Sequence, residues 1–384
     1  AYEIKECDWS SDVCSSDLGK TMTISHRKRR YLAAAVALGS LLAACSSSSN
    51  SSSSNGGGSG ATTTTKAPSG STAPGSTTPA TAGPGGTGSG ETCTTSGDPI
   101  KLAVNPWTGS AVNAYVAKSV IECNLGTPVE IVNVDENATW TGLDDGSLDA
   151  VLEVWPSGHA ADYQTYVTEK KSVVDLGLLG PNAKIGWYVP KFVIDAHPEL
   201  ATWEGFKKPE LAKLFATAET GDLGQFLMGD PSYVTYDQQI IANLKLPLKY
   251  VVAGSEASLL TAIDQAIADK KPLLLQFWTP HWKLSRVDLV QVKLPDYTDA
   301  CKASAAANDG GYNCDYPVDK LYKAASAKLK DKNAKVFDVL SKLSLTNDQQ
   351  SQIAAYIDGD GLKPEAAAQK WVDANKAIWS AWLG

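Results

Sequence analysis

After residue 93 the chain alternates between two hydrophobic rhythms. Short apolar runs bounded by turn residues predict strands at Ile100–Val104, Val129–Val134 and Ala150–Val154. Between them, Val112, Tyr115, Val116 and Val120 recur at helical spacing, which predicts a helix over Ala111–Glu122 capped by Ser110. A shorter helix is expected from Thr139 to Gly146. A second set follows, with strands at Lys184–Pro190, Gln225–Met228, Tyr250–Ala253 and Leu273–Phe277. Leu259, Leu260, Ile263, Ala266 and Ile267 mark a helix over Ser258–Ala268. Val290–Leu294 runs back out, and from Val318 the pattern reads as helical to the end, closing on Pro364–Leu383. Strands alternating with helices define an α/β chain. Two such sets with a helical return predict two lobes, each a mainly parallel sheet flanked by helices. The first lobe is 93–186 plus 290–384 and the second is 187–289.

The first 92 residues follow neither rhythm. Residues 1–21 resemble no signal or domain and are read as a non-native or misassigned leader. From Met22 a basic cluster, His26 to Arg30, precedes the short apolar stretch Tyr31 to Ala44. That stretch is too short to span a bilayer and has the layout of a signal peptide over 22–44. It ends in Leu42-Ala43-Ala44-Cys45, the pattern of a lipoprotein cleavage site that would make Cys45 a lipidated N-terminus. From Ser46 to Gly90 the chain is Ser, Gly, Thr, Pro and Ala with Lys66 as the one charge. Such a segment lacks the apolar side chains needed to offset ordering entropy, so 45–92 is expected to be a tether reaching roughly 35–40 Å.

Charge and cysteines narrow the partners. The formal net charge is −8, without basic runs in the folded part, which argues against nucleic acid. Cys93, Cys123, Cys301 and Cys314 lie in that part, and a secreted chain favours pairing. Local closure predicts Cys93–Cys123 and Cys301–Cys314. Without a Cys-x-x-Cys or a neighbouring histidine, a metal site is not expected, nor is a cofactor.

The tryptophans carry the chemistry. Leu102-Ala103-Val104 leads into Asn105-Pro106-Trp107-Thr108-Gly109-Ser110; Val151 to Val154 leads into Trp155-Pro156-Ser157-Gly158-His159; Leu273 to Phe277 leads into Trp278-Thr279-Pro280-His281-Trp282. A fourth strand end, Met228-Gly229-Asp230-Pro231-Ser232-Tyr233, offers a tyrosine. Ligands of open α/β sheets bind at the carboxyl ends of strands. A single tryptophan is usually core, but three before solvated turns predict converging rings. Such a cage suits a trimethylammonium head, which has no N–H to donate and is drawn to ring faces. Helix-opening N–H groups at Gly109 and Ser110, with the imidazole of His281, are candidates for a carboxylate on the same ligand. Trp371, Trp379 and Trp382 read as packing, as do Trp140 and Trp203, while Trp187 and Tyr236 stand open between packing and cage.

The strings LAVNPWTGS, LEVWPSGHA, GDPSYVTYD and QFWTPHW resemble the glycine betaine/proline-type substrate-binding proteins of bacterial ABC importers. The likeness covers Lys101 to Leu383. It implies a two-lobed type II periplasmic-binding-protein fold, a cation cage of Trp107, Trp155 and Trp278, and a carboxylate site at His281 with the Gly109–Ser110 turn. Tyr233 stands where many relatives have a further tryptophan. The implied protein is a monomeric, lipid-anchored binder of glycine betaine, or of proline betaine, choline or carnitine, that delivers its solute to an ABC permease. Two other classes fit the residues less well. No G-x-S-x-G, His-Glu-x-x-His or phosphate loop supports an enzyme, and Glu153 and Asp149 sit at opposite ends of one strand. A tryptophan-based carbohydrate module would need more Asp, Asn and Arg beside the rings.

Overall fold

The computed structural model describes residues 93–384, so the expectations for the leader, the signal peptide, Cys45 and the tether lie outside the described residues. Nine strands form one sheet, eight of them in the order β2-β1-β3-β9-β4-β7-β5-β6, with β8 beside β4. In the first half, β1 (Ile100–Val104) pairs in parallel with β2 (Val129–Asn133) and β3 (Ala150–Val154). In the second, β5 (Gly224–Met228) pairs in parallel with β6 (Leu248–Val252) and β7 (Leu275–Thr279). The antiparallel pairs all involve β4 (Val173–Pro190) or β9 (Asp319–Ser326), the strands that carry the chain between halves. Each half-sheet is therefore mixed.

β4 is the physical link. Its residues Val173 to Ala183 pair with β9, and Lys184 to Pro190 pair with β7 and β8 (Leu289–Val292). Only this second stretch was legible, because Asp175 to Asn182 reads as loop and its pairing is interrupted by register shifts. β8 joins the second half-sheet, so the expected return at residue 290 is displaced: the chain rejoins the first half-sheet at Asp319. β9 itself overturns the helical reading after Val318. The stretch from Asp319 to Ser326, rich in Ala and Lys, favours helix by propensity, but it is buried almost throughout between β3 and β4, and sheet pairing wins.

The helices are α1 (Thr108–Leu125), α2 (Glu136–Asp145), α3 (Asp237–Asn243), α4 (Glu256–Asp269) and α5 (Asp299–Ala307). After β9 come α6 (Ala334–Lys342), α7 (Asn347–Ala354) and α8 (Pro364–Ala374). α1 begins three residues earlier than its apolar period suggests, which puts Ser110 inside the first turn instead of at the cap. Its hydroxyl accepts the Asn105 N–H at 3.0 Å and ties the strand end to the helix. α8 returns to the first half, where Ser119 of α1 donates to Gln369 at 2.7 Å. Trp140, Trp371, Trp379 and Trp382 are buried, as packing requires, and Trp203 is partly buried. Trp187 is wholly buried against Phe226, and its indole donates to Asp237 at 2.7 Å. The disulfides are Cys93–Cys123 and Cys301–Cys314, with Cα atoms 4.9 and 6.2 Å apart.

Candidate functional site

The ends of β1 and β3 face β7 and the loop after β5 across a cleft. Trp107, Trp155, Trp278 and Tyr233, the four expected rings, line one cavity there, joined by Glu136 and Gln276. Tyr233 stands edge-on to two tryptophans, with centroids 5.7 Å from Trp107 and 5.8 Å from Trp278 and planes at 78° and 88°. Gly229 permits this, since a Cβ there would lie 2.7 Å from the Tyr233 ring. The phenol donates across the cleft to the Pro106 carbonyl at 2.9 Å. Burial, together with the acidic side chains around it, holds that phenol well above its ordinary pKa, so it stays neutral.

Glu153 orients two of the rings. It is the one acid in the apolar strand β3, and it is buried beneath the cage. Its Oε1 accepts the indole N–H of Trp107 at 2.7 Å and of Trp155 at 3.1 Å; its Oε2 accepts Asn113 and Gln350, each at 2.6 Å. Burial pushes its pKa up to about 7, against the pull of those four donors. Gly109 lies close above, where a Cβ would come within 3.0 Å of Oε2. The lone acid in a buried strand was the available sequence signal, since such a group must find partners.

Glu136, at the start of α2, is the charged member of the cavity wall. Its Oε2 accepts the Val234 N–H across the cleft at 2.8 Å, and its Oε1 lies 2.8 Å from Nε2 of His159. Burial alone would lower the His159 pKa, but Asp162, 2.9 Å from Nδ1, and Glu136 outweigh it and push it up to about 9. Trp140 Nε1 also lies 3.0 Å from Nδ1, an approach that only a neutral ring can accept. With a carboxylate on each nitrogen, the ring is a cation at neutral pH.

The residues expected to hold a carboxylate are placed elsewhere. Gly109 and His281 line a second cavity beyond Trp155 and Trp278, and Ser110 lines neither. His281 accepts the Lys283 N–H on Nδ1 at 3.1 Å, which leaves its proton on Nε2, 2.9 Å from Glu256. Tyr236 stacks on Tyr312, with centroids 4.3 Å apart, and does not line the cage. No lysine or arginine lines either cavity.

Two α/β halves joined by a shared strand, with an aromatic-walled cleft at their strand ends, define an extracytoplasmic solute-binding protein. Residues 98–374 match the substrate-binding domain of ABC-type glycine betaine transport systems, and the chain belongs to that family. It is thus the substrate-binding component of an ABC importer of the glycine betaine type, not an enzyme. The trimethylamine N-oxide-binding protein of Pelagibacter ubique is 27% identical over 291 residues, covering 74% of this chain and 90% of that protein. Among solved structures, the glycine betaine/L-proline-binding protein of Borrelia burgdorferi aligns with a TM-score of 0.61 at 19% identity, over 75% of this chain and 97% of that one. A lactococcal protein solved closed around glycine betaine aligns with a TM-score of 0.58 at 20% identity, over 75% and 100%. The structural likenesses speak for the two-lobed type II fold.

Proposed function

We propose that the aromatic cavity holds the trimethylammonium head of a small compatible solute, glycine betaine or a close relative, and presents it to a cognate permease. One observation carries this reading: Trp107, Trp155, Trp278 and Tyr233 surround a single cavity whose charged wall residue is an acid. A cation among ring faces gains roughly 0.5–2 kcal/mol per ring, and Glu136 adds attraction of the same sign. The likeness to the trimethylamine N-oxide-binding protein of Pelagibacter adds trimethylamine N-oxide to the candidates, since that solute shares the trimethylated nitrogen that the cage would read. Titration of a fragment from Cys93 onward with glycine betaine, choline and trimethylamine N-oxide tests this by heat and tryptophan fluorescence. Reversible binding of at least one, recovered unchanged, is expected. Trp278→Ala should weaken it by about 1–2 kcal/mol, with part restored by Trp278→Phe. No response at millimolar solute, or an unaltered Trp278→Ala protein, overturns the cage.

The chain is further proposed to act as a monomer tethered through a lipidated Cys45 at the outer face of the cytoplasmic membrane, after removal of 22–44. The lobes are divided here by strand pairing: crossing at Ala183/Lys184 and return between Val292 and Asp319 support that division.

A further inference from the structure

The donors that a ligand carboxylate would use are already engaged by a carboxylate of the protein. Glu256, the first residue of α4 on the second-lobe side, is 6% exposed and reaches across the cleft. Its Oε2 accepts the Thr108 N–H at the opening of α1 at 2.6 Å, and its Oε1 faces the Nε2 proton of His281 at 2.9 Å. The Lys283 N–H on Nδ1 holds the ring in that tautomer. Asp358 stands beside it, accepting Thr108 Oγ1 at 3.1 Å and the Trp282 indole at 3.0 Å. Glu256 and Trp278 line the same second cavity, and Trp278 also walls the cage, so this acidic cluster is one ring away from the solute. Inside the cage the polar wall is the Glu136 carboxylate, Thr235 and Gln276, a buried amide whose oxygen has no partner.

A solute bringing its own carboxylate would therefore meet no free cation and no free donor from His281 or Thr108. It would also sit among Glu136, Glu256 and Asp358, where like charges oppose it and water is too scarce to screen them. A cation ending in a hydroxyl meets the reverse situation, since Glu136 and the Gln276 oxygen can each accept its proton.

Resting on the cage reading above, we propose that Glu256 determines specificity by filling the anion position with the protein's own carboxylate. The preferred solutes are then trimethylammonium cations without a carboxylate, hydroxyl-bearing ones of the choline type first. Specificity of this kind comes from a built-in repulsion as much as from an attraction.

The test is calorimetric titration of the parent fragment, Glu256→Ala and Glu256→Gln with tetramethylammonium, choline and glycine betaine. The parent should bind choline at least tenfold more tightly than betaine. Glu256→Ala frees the Thr108 N–H and the His281 proton, and Glu256→Gln removes the repelling charge, so both variants should shrink that preference, the alanine variant at least tenfold, by gaining betaine affinity. Betaine binding the parent as tightly as choline overturns the proposal, as does a choline-to-betaine ratio that neither variant changes. If neither variant folds, the parent ratio alone decides. Tetramethylammonium separates the two readings, because it carries neither a carboxylate nor a hydroxyl and so tests the cage alone. Its failure to bind defeats the cage, whereas its binding together with a betaine preference defeats only the role of Glu256.

Discussion

At the scale of single residues, the site is organised by acids more than by the aromatic groups that advertise it. Glu153 and His159 make this measurable, because both hold protons more tightly when folded. The Glu153 pKa rises from 4.5 to about 7, so its destabilising charge develops as pH climbs through that window. The His159 pKa rises from 6.5 to about 9, so its stabilising charge is fully present below 6.5 and lost as pH climbs through 9. Each shift corresponds to on the order of 3 kcal/mol. Asp237 and Asp319, both raised to about 6 by burial, act in the same direction as Glu153. Urea unfolding from pH 4.5 to 9 should show stability falling with pH. Glu153→Gln should flatten the lower part and His159→Gln the upper part, and a Glu153→Gln curve parallel to the parent below pH 7 would contradict this assignment. The four rings were legible in the sequence because each tryptophan lies at a strand end before a turn and Tyr233 closes the turn after β5. Glu136 and Glu256 were not, since their roles depend on Val234, Thr108 and His281, which only the closed cleft brings to them.

Among elements, the loop from Gly229 to Tyr236 matters most, since it presents Tyr233. It is braced from behind by Tyr312, inside the loop that the Cys301–Cys314 disulfide closes, and by Tyr316 just after it. Tyr316 receives the Tyr236 N–H at 2.7 Å and donates to Asp237 at 2.9 Å, while Tyr312 stacks on Tyr236. The Cys93–Cys123 link ties the N-terminal segment to the far end of α1 from the cage. Replacing either pair with alanine should lower unfolding stability by about 2–4 kcal/mol. Losing Cys301–Cys314 should also weaken solute binding, whereas losing Cys93–Cys123 should lower thermal stability with less effect on affinity. Equal effects on affinity would show that the tyrosine brace does not position Tyr233. The pairing was legible because secretion and short sequence separations favour local closure. β9 and the first part of β4 were not, because one has helical composition and the other is broken by Gly177 and Gly180, both at positive φ.

Taken as a whole molecule, the two-lobed layout was legible from two strand–helix sets and a return, but its return point was not, because β8 is indistinguishable in sequence from a first-lobe strand. The proposed tether gives the molecule its place of work. A lipidated Cys45 followed by the Ser/Gly/Thr/Pro segment would keep the protein within a few tens of Å of the membrane surface in which the permease lies. Cys45→Ser should release the protein from the membrane fraction and abolish labelling by a fatty-acid analogue. Unchanged membrane association would remove the anchor.

The hydrogen bonds across the cleft bear on timing. Tyr233 to Pro106, Val234 to Glu136, Tyr236 to Ser157 and Trp282 to Asp358 each join residues on opposite sides of the cavity. None of them involves a solute. Opening must break this set before anything leaves, so the dwell time of a solute is governed by the door as well as by the pocket. Two solutes that fill the cage with unequal strength would depart at more similar rates than their affinities suggest, and a permease that hastens unloading need only pry at the hinge side of these bonds.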